Sequence, residues 1–314
     1  PENGNMHKDS THHDDGIYFG LPEDQYHADP ALGSSGLKKL RESPPTFWFE
    51  SPFNPLWQPS DTTPAKILGT ARHKLVLEGP EAFKARYAPR FHNGSTKEGK
   101  AENAAIAEAG KIGQPFEGYS AIMQSAAMIR SNPSIKDAFT GGCGSEVSIF
   151  WTGPDGFRRK ARIDYWKMNA SVDLKNVANQ YSREFPTACR AAIATYRYDI
   201  QAAHYATARA QAARLWESGL VFGDYDRKAV EPCIHERPVA WVWIFYQSNG
   251  APLTWGTVIS PENPILQAAR ADIEIAEQNL RTFMDKFGPD TPWIVDEPLR
   301  ELDINELPAY FGRY

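Results

Sequence analysis

The 314-residue chain carries 34 basic and 39 acidic side chains for a formal net charge of −5, with 41% hydrophobic and 12% aromatic residues. That is the make-up of a well-packed soluble protein, and it argues against a partner held by overall charge alone, because proteins that grip nucleic acid that way are usually basic. No apolar run nears the ~18 residues of a membrane span, no charged-then-apolar leader appears, and Cys143, Cys189 and Cys233 are too few for a disulfide framework or a four-ligand iron–sulfur cluster, so a cytoplasmic protein is expected.

The polar, aperiodic run 1–16 reads as a disordered tail, and its histidines His7, His12 and His13 have nothing beside them to fix a metal geometry. GSSGLKKLRES opens with serines suited to capping a helix and sets Leu37 and Leu40 on one face. The prolines of SPPTFWFESPFNP then force a turn. TPAKILGTARHKLVLEG predicts a helix from Pro64 to Gly79 with Ile67, Leu68, Ala71, Leu75 and Val76 as its apolar stripe. Two alanine-rich helices fill 99–130, interrupted near GKIGQP.

SEVSIFWTGPDGFRRKARIDYW predicts a β-hairpin about its GPDG turn, and ASVDLKN a third strand. Phe185 to Trp216 reads as a long helical region started by Pro186. PVAWVWIFYQ and PLTWGTVIS form a second hairpin across SNGA. An amphipathic helix then runs to Gly288, and the tail beyond it is proline-rich and irregular. The order predicts a single α/β domain over 17–314: a central mixed β-sheet flanked by helices, with an N-terminal helical elaboration.

Asp164 and Asp173 fall at the ends of successive strands, where neighbouring carboxylates converge. Two such groups repel unless a cation lies between them, and hard oxygen ligands suit Mg2+ or Mn2+. Lys175 shares a strand face with Asp173 by the period of two. A lysine there can orient or deprotonate an attacking water and offset charge on a phosphorane-like transition state. An isolated D-x-K is common at solvated strand ends, so its company decides its weight. His73 lies in GTARH, Glu146 begins the strand before Asp164, and Gln201 and Tyr205 stand four apart on one helix face in QAAHY.

This series, G-T-A-x-H, Glu, a strand-ending Asp, D-x-K and Q-x-x-x-Y, resembles the PD-(D/E)xK nuclease superfamily. It is most similar to the RecE-type (exodeoxyribonuclease VIII-like) exonucleases, over roughly Tyr26 to Arg209. The resemblance implies a restriction-endonuclease-like core. It implies Asp164, Asp173 and the Leu174 carbonyl as metal ligands, with His73 as a further one, and Lys175 as the residue that positions or activates the attacking water. Glu146 becomes an outlying or second-metal carboxylate, and Gln201 and Tyr205 steady the lysine or touch the DNA backbone. It further implies two Mg2+ ions, with Mn2+ able to substitute, and 5′-to-3′ digestion of linear double-stranded DNA ends to 3′ single strands for phage-type recombination. A homo-oligomeric ring and a single-strand annealing partner are implied in the same way. Ile163 stands where a proline often precedes the first aspartate, and Asn176 where a threonine follows the lysine. The second departure bears on substrate positioning rather than on the ligands.

Other readings stay open at this level. A related nuclease could differ in polarity or take single strands, although the CRISPR adaptation nucleases of that kind carry a four-cysteine cluster that this chain cannot build. A catalytically silent DNA-binding or assembly module would keep the same fold, and Glu146 could simply face water. Lys38, Lys39, Arg72, Arg158, Arg159 and Arg162 are candidates to meet phosphate, and the sequence does not choose among them. His204 and His235 read as structural.

Overall fold

A computed structural model describes residues 12–58, 63–235 and 238–311. The chain enters with β1 (Gly16–Tyr18), α1 (Glu23–Ala28), α2 (Ser34–Glu42) and α3 (Pro44–Phe49). An arm follows, in which α4 (Pro64–His73) runs into one π-helical turn (Lys74–Glu78) and then α5 (Gly79–Arg86), β2 (Tyr87–Arg90), α6 (Lys97–Glu108), β3 (Ile112–Pro115) and α7 (Phe116–Ser131). Next come β4 (Gly144–Thr152), β5 (Arg158–Trp166), β6 (Ala170–Val177), α8 (Phe185–Thr195) and α9 (Tyr198–Glu217). β7 (Val221–Phe222), α10 (Arg227–His235), β8 (Ala240–Gln247), β9 (Thr254–Ile259) and α11 (Pro264–Phe287) complete the regular structure apart from a 3-10 turn near the C-terminus.

Among the described residues seven strands form a mixed sheet in the order β7-β1-β4-β5-β6-β8-β9, and β2 and β3 pair separately. β6 and β8 run parallel, which needs a crossover, and α8, α9 and α10 supply it. The near-continuous apolar run of β8 follows from burial on both faces. On one face Val147, Ile149, Ile163, Trp243 and Phe245 pack against Ile200, Ala203 and Ala208 of α9 and against Leu37, Leu266 and Leu280. On the other, Val172, Leu174, Ile244 and Tyr246 meet Ile129 and Ile135. Ala71, Leu75, Phe83 and Ile122 make a satellite core that fixes the arm. No helix among the described residues is long and apolar enough to cross a membrane.

One feature of the sheet governs the rest. β4 and β5 pair from Gly144↔Trp166 to Thr152↔Arg158, but β5 and β6 pair only at Tyr165↔Val172 and Trp166↔Ser171. Beyond these two pairs the strands part and leave a gap.

Several expectations are corrected. Of the run read as a tail, residues 1–11 lie outside the described residues, but His13, Asp15 and Gly16 are packed. His13 stacks on Phe150 with ring centroids 4.9 Å apart and donates its amide to Asp29 at 2.8 Å, while Asp15 accepts from the Thr152 amide and hydroxyl, each at 2.9 Å. Ser34 and Ser35 lie inside α2, whose N-cap is Gly33. Ser43 caps a real helix, α3, because Pro44 has no N–H to lose in a first turn. The predicted helix 64–79 divides at His73 into α4 and the π-turn. The break near GKIGQP is a strand too short to show alternation. The region 185–216 breaks at Arg197, whose φ is 50°. Asp164 and Asp173 lie inside their strands rather than at the ends, since β5 continues to Trp166 and β6 to Val177.

The core also holds an acid-sensitive group. His204 is 2% exposed, its Nε2 lies 2.9 Å from the Lys160 carbonyl oxygen, and burial brings its pKa down to about 4. A group with a depressed folded pKa contributes stability above its unfolded value, ~6.5, and loses it as the pH falls toward the folded one. Urea unfolding should therefore show a loss of about 2 kcal/mol between about pH 7 and about pH 5, and His204→Gln should lose less over the same window. Equal losses in both proteins would remove His204 as the cause.

Candidate active site

The gap between β5 and β6 turns a ladder amide to another use. With no strand partner opposite it on β5, the Leu174 N–H donates to Asp164 Oδ2 at 2.8 Å. The described contact of Leu174 is thus its amide, and its side chain packs in the core of one sheet face.

Across the β4–β5 ladder, Ser145↔Tyr165 and Val147↔Ile163 flank a position at which Glu146 and Asp164 stand opposite each other without pairing. Glu146 takes a left-handed backbone, φ 52°, which costs a non-glycine residue about 1–3 kcal/mol and is concentrated at functional sites. Its Oε2 accepts from Arg162 Nε at 2.6 Å, and Arg162 is itself fixed by bonds to the Leu21 carbonyl and Ser148 Oγ, each at 2.9 Å. His73 arrives from the end of α4, where the π-turn shifts the register of the apolar residues that follow it. Its Nδ1 lies 3.7 Å from Glu146 Oε1 and 3.7 Å from Asp164 Oδ2.

One ligand atom from each of His73, Glu146 and Asp164 lies within 4.8 Å of the others. One imidazole nitrogen and two carboxylate oxygens are a donor set for a hard or borderline divalent cation. Asp173 stands outside this group; its Oδ2 is buried and lies 2.7 Å from the Lys175 ammonium, and a carboxylate oxygen so engaged keeps a further lone pair. The residues fit a divalent metal.

Lys175 and Asp173 form the other half of the site. Asp173 is 1% exposed, and Lys175 Nζ lies 2.8 Å from its Oδ1 and 2.7 Å from its Oδ2. Gln201 of α9 donates to Asp173 Oδ1 at 3.0 Å. Tyr205, one turn further on, is buried with its ring edge-on to Trp241 at 5.7 Å, and Lys175, Asp164 and Asp173 lie near enough for their charges to act on its hydroxyl. Tyr198, which the motif reading missed, holds Lys175 Nζ 5.1 Å from its ring centroid. Its spacing of three from Gln201 on the same helix was the available signal.

The electrostatics show how crowded the acids are. Burial first, and the Asp173 charge second, push Asp164 well above the usual carboxylate range. Burial would lower His73, but Asp164 and Glu146 outweigh it and raise the imidazole to about 9. Burial would likewise raise Glu146, yet His73 and Arg162 hold it low, at about 2. Lys175 is raised despite its burial because Asp173 and Asp164 face it. The carboxylates draw every nearby cation onto themselves.

Most of the basic residues considered for phosphate are already engaged. Lys39 pairs with Glu50 at 2.6 Å, Arg158 with Asp29 at 3.0 Å, Arg159 with Asp155 and Glu277 at 2.8 and 2.7 Å, and Arg162 with Glu146. Arg72 is buried over the Tyr246 ring. Lys38 reaches the mouth of the site, donating to the Tyr196 carbonyl at 2.7 Å.

Residues 33–216 match the family model for a PDDEXK-like domain of unknown function, DUF3799. That span contains all eight residues singled out from the sequence. A crystal structure of a Eubacterium rectale protein, provisionally described as an exonuclease, superposes with a TM-score of 0.51 at 15% identity, over 86% of this chain and 91% of that one. The likeness is one of fold. No curated protein matches the chain.

Proposed function

The chain belongs to the family of PDDEXK-like domains of unknown function (DUF3799), and from that membership we propose that it is a divalent-metal-dependent DNA exonuclease of the RecE type. The observation that carries the reading is the gap between β5 and β6, where the His73–Glu146–Asp164 group stands beside Lys175 and its buried partner Asp173. The description of the Eubacterium rectale protein as an exonuclease supports the same activity.

Phosphodiester hydrolysis needs a placed water, neutralised phosphate oxygens and a stabilised leaving oxygen. His73, Glu146 and Asp164 would hold Mg2+ or Mn2+, with Asp173 Oδ2 as a further donor. The cation when bound supplies Lewis acidity toward the phosphate and the attacking water. Lys175, kept protonated by the aspartates, presents N–H donors and positive charge to the water and the phosphate oxygens. Gln201 holds the Asp173 carboxylate, and Arg162 holds Glu146. Polarity from 5′ to 3′ on duplex ends, two ions per site, a homo-oligomeric ring and an annealing partner belong to the same proposal and rest on the sequence resemblance.

Linear duplex DNA labelled separately at its 5′ and 3′ ends tests the reading. Release of the 5′ label with Mg2+ and its absence in EDTA are expected. Release from the 3′ label alone would keep a nuclease and reverse its polarity. Binding without cleavage in Mg2+ or Mn2+ would leave a silent module, and neither binding nor cleavage would overturn the reading.

A further inference from the structure

α8 and α9 are joined through Tyr196 and Arg197. Arg197 is left-handed, an unusual state for arginine, and three elements hold it there. Its Nε and one terminal nitrogen donate to Asp199 at 3.1 and 2.9 Å, and that same nitrogen meets Asp272 of α11 at 2.5 Å. Asp272 is held in turn by Arg41 of α2 at 2.6 Å. The reversal at Arg197 brings Tyr196 and Tyr198 ring to ring, with centroids 5.6 Å apart, although residues two apart on a continuous helix do not face each other.

The two rings form a step leading out of the site. The inner ring, Tyr198, carries the Lys175 ammonium, while the outer, Tyr196, is 59% exposed. Lys38 Nζ lies 5.4 Å from the Tyr198 ring and bonds the Tyr196 carbonyl. Since 5.1 and 5.4 Å add to 10.5 Å, the two ammoniums are no further apart than that. Among the described residues no carboxylate lies within ion-pair distance of Lys38, whereas its neighbour Lys39 pairs with Glu50. Burial, and after it the charge of Lys175, bring Lys38 down to about 8. An exposed ring beside an ammonium that has no close ion-pair partner among the described residues is the pairing that proteins use on unpaired nucleic-acid strands, the ring for a base and the cation for a phosphate.

Resting on the nuclease reading, we propose that Tyr196 and Lys38 dock one unpaired nucleotide at the mouth of the site, Tyr196 stacking its base and Lys38 taking its phosphate. The step is indifferent to base identity, because every base offers a π face, and it selects a frayed or single-stranded end over a paired one.

The test is binding of a single-stranded oligothymidylate about 12 nucleotides long, in EDTA to stop cleavage, followed by anisotropy across a salt series. Tyr196→Ala should weaken binding about 5- to 150-fold with the salt slope unchanged, and Tyr196→Trp should restore it. Lys38→Gln should make the slope of log Kobs against log[salt] shallower by about 0.7, one phosphate contact on a single strand. Melting temperatures of the two Tyr196 variants should match the unaltered protein, because Tyr196 packs on the surface. Unchanged affinity in Tyr196→Ala, a loss that tryptophan does not restore, or an unchanged slope in Lys38→Gln overturns the docking step, while cleavage by the unaltered protein keeps the nuclease reading. An unaltered protein that neither binds nor cleaves DNA overturns both.

Discussion

Lys175→Ala is expected to lower kcat on linear duplex DNA by about 10²–10³-fold or more, with DNA binding largely kept. The ammonium lies within 2.8 Å of both oxygens of a buried carboxylate, so it has one role in the resting protein and another in catalysis. At rest it compensates Asp173. During hydrolysis it supplies donors and charge to groups that become more negative in the transition state, which is where an interaction raises kcat. The substitution also leaves Asp173 with Gln201 as its remaining hydrogen-bond donor. Removing one partner of a buried pair costs on the order of 3 kcal/mol, so the variant should melt well below the unaltered protein without metal. Assays therefore belong well below that melting temperature. A kcat within tenfold of the unaltered value, measured on folded protein, would remove Lys175 from the chemistry.

Asp164→Asn is expected to abolish cleavage and yet raise the melting temperature of the metal-free protein. The folded pKa of Asp164 is raised above its unfolded value of 3.8, first by burial and then by Asp173. A carboxylate shifted in that direction contributes stability at low pH and loses it as the pH rises through the folded value. At neutral pH its charge therefore costs stability, on the order of 2 kcal/mol. Asparagine removes the charge and keeps an oxygen to accept from the Leu174 amide, 2.8 Å away in the unaltered protein. With Mn2+ the order should reverse, since a ligand that binds only the folded state raises the melting temperature of the protein that binds it. Calorimetry of both proteins with EDTA and with Mn2+ decides the matter. A variant that melts lower in EDTA, or that responds to Mn2+ as the unaltered protein does, would show that Asp164 is not a strained metal ligand.

Much of the scaffold was legible because its signals are local and repeated. The two hairpins and β6 declare themselves by runs of β-branched and aromatic residues broken at GPDG and SNGA, and α11 by its long apolar stripe. β1 and β7, with three and two residues, are too short to carry any period. The site was legible as a set of residue types but not as a set of partners. D-x-K placed Lys175 beside Asp173, since strand periodicity alone does that. Nothing local announced that Arg162 would clamp Glu146, because that contact depends on the cross-strand register and on a left-handed glutamate. Tyr205, four residues after Gln201 on α9, meets Trp241 edge-on at 5.7 Å, and the charges of Lys175, Asp164 and Asp173 reach its hydroxyl.

The parting of β5 from β6 makes the sheet two plates joined at one corner. Glu146 and Asp164 ride on the plate built from β7, β1, β4 and β5, and Asp173 and Lys175 on the plate built from β6, β8 and β9. Among the described residues the strand pairs between the two ladders are Tyr165↔Val172 and Trp166↔Ser171; Trp166, with 0% exposure, is the pin of that corner, and beyond it the Leu174 amide reaches across to Asp164 Oδ2. The spacing between the acids is therefore a mechanical quantity, set by how far the two plates part and limited by that amide-to-carboxylate bond. Whatever binds to both plates braces the sheet at its weakest line, so occupancy of the site and stiffness of the whole fold rise together.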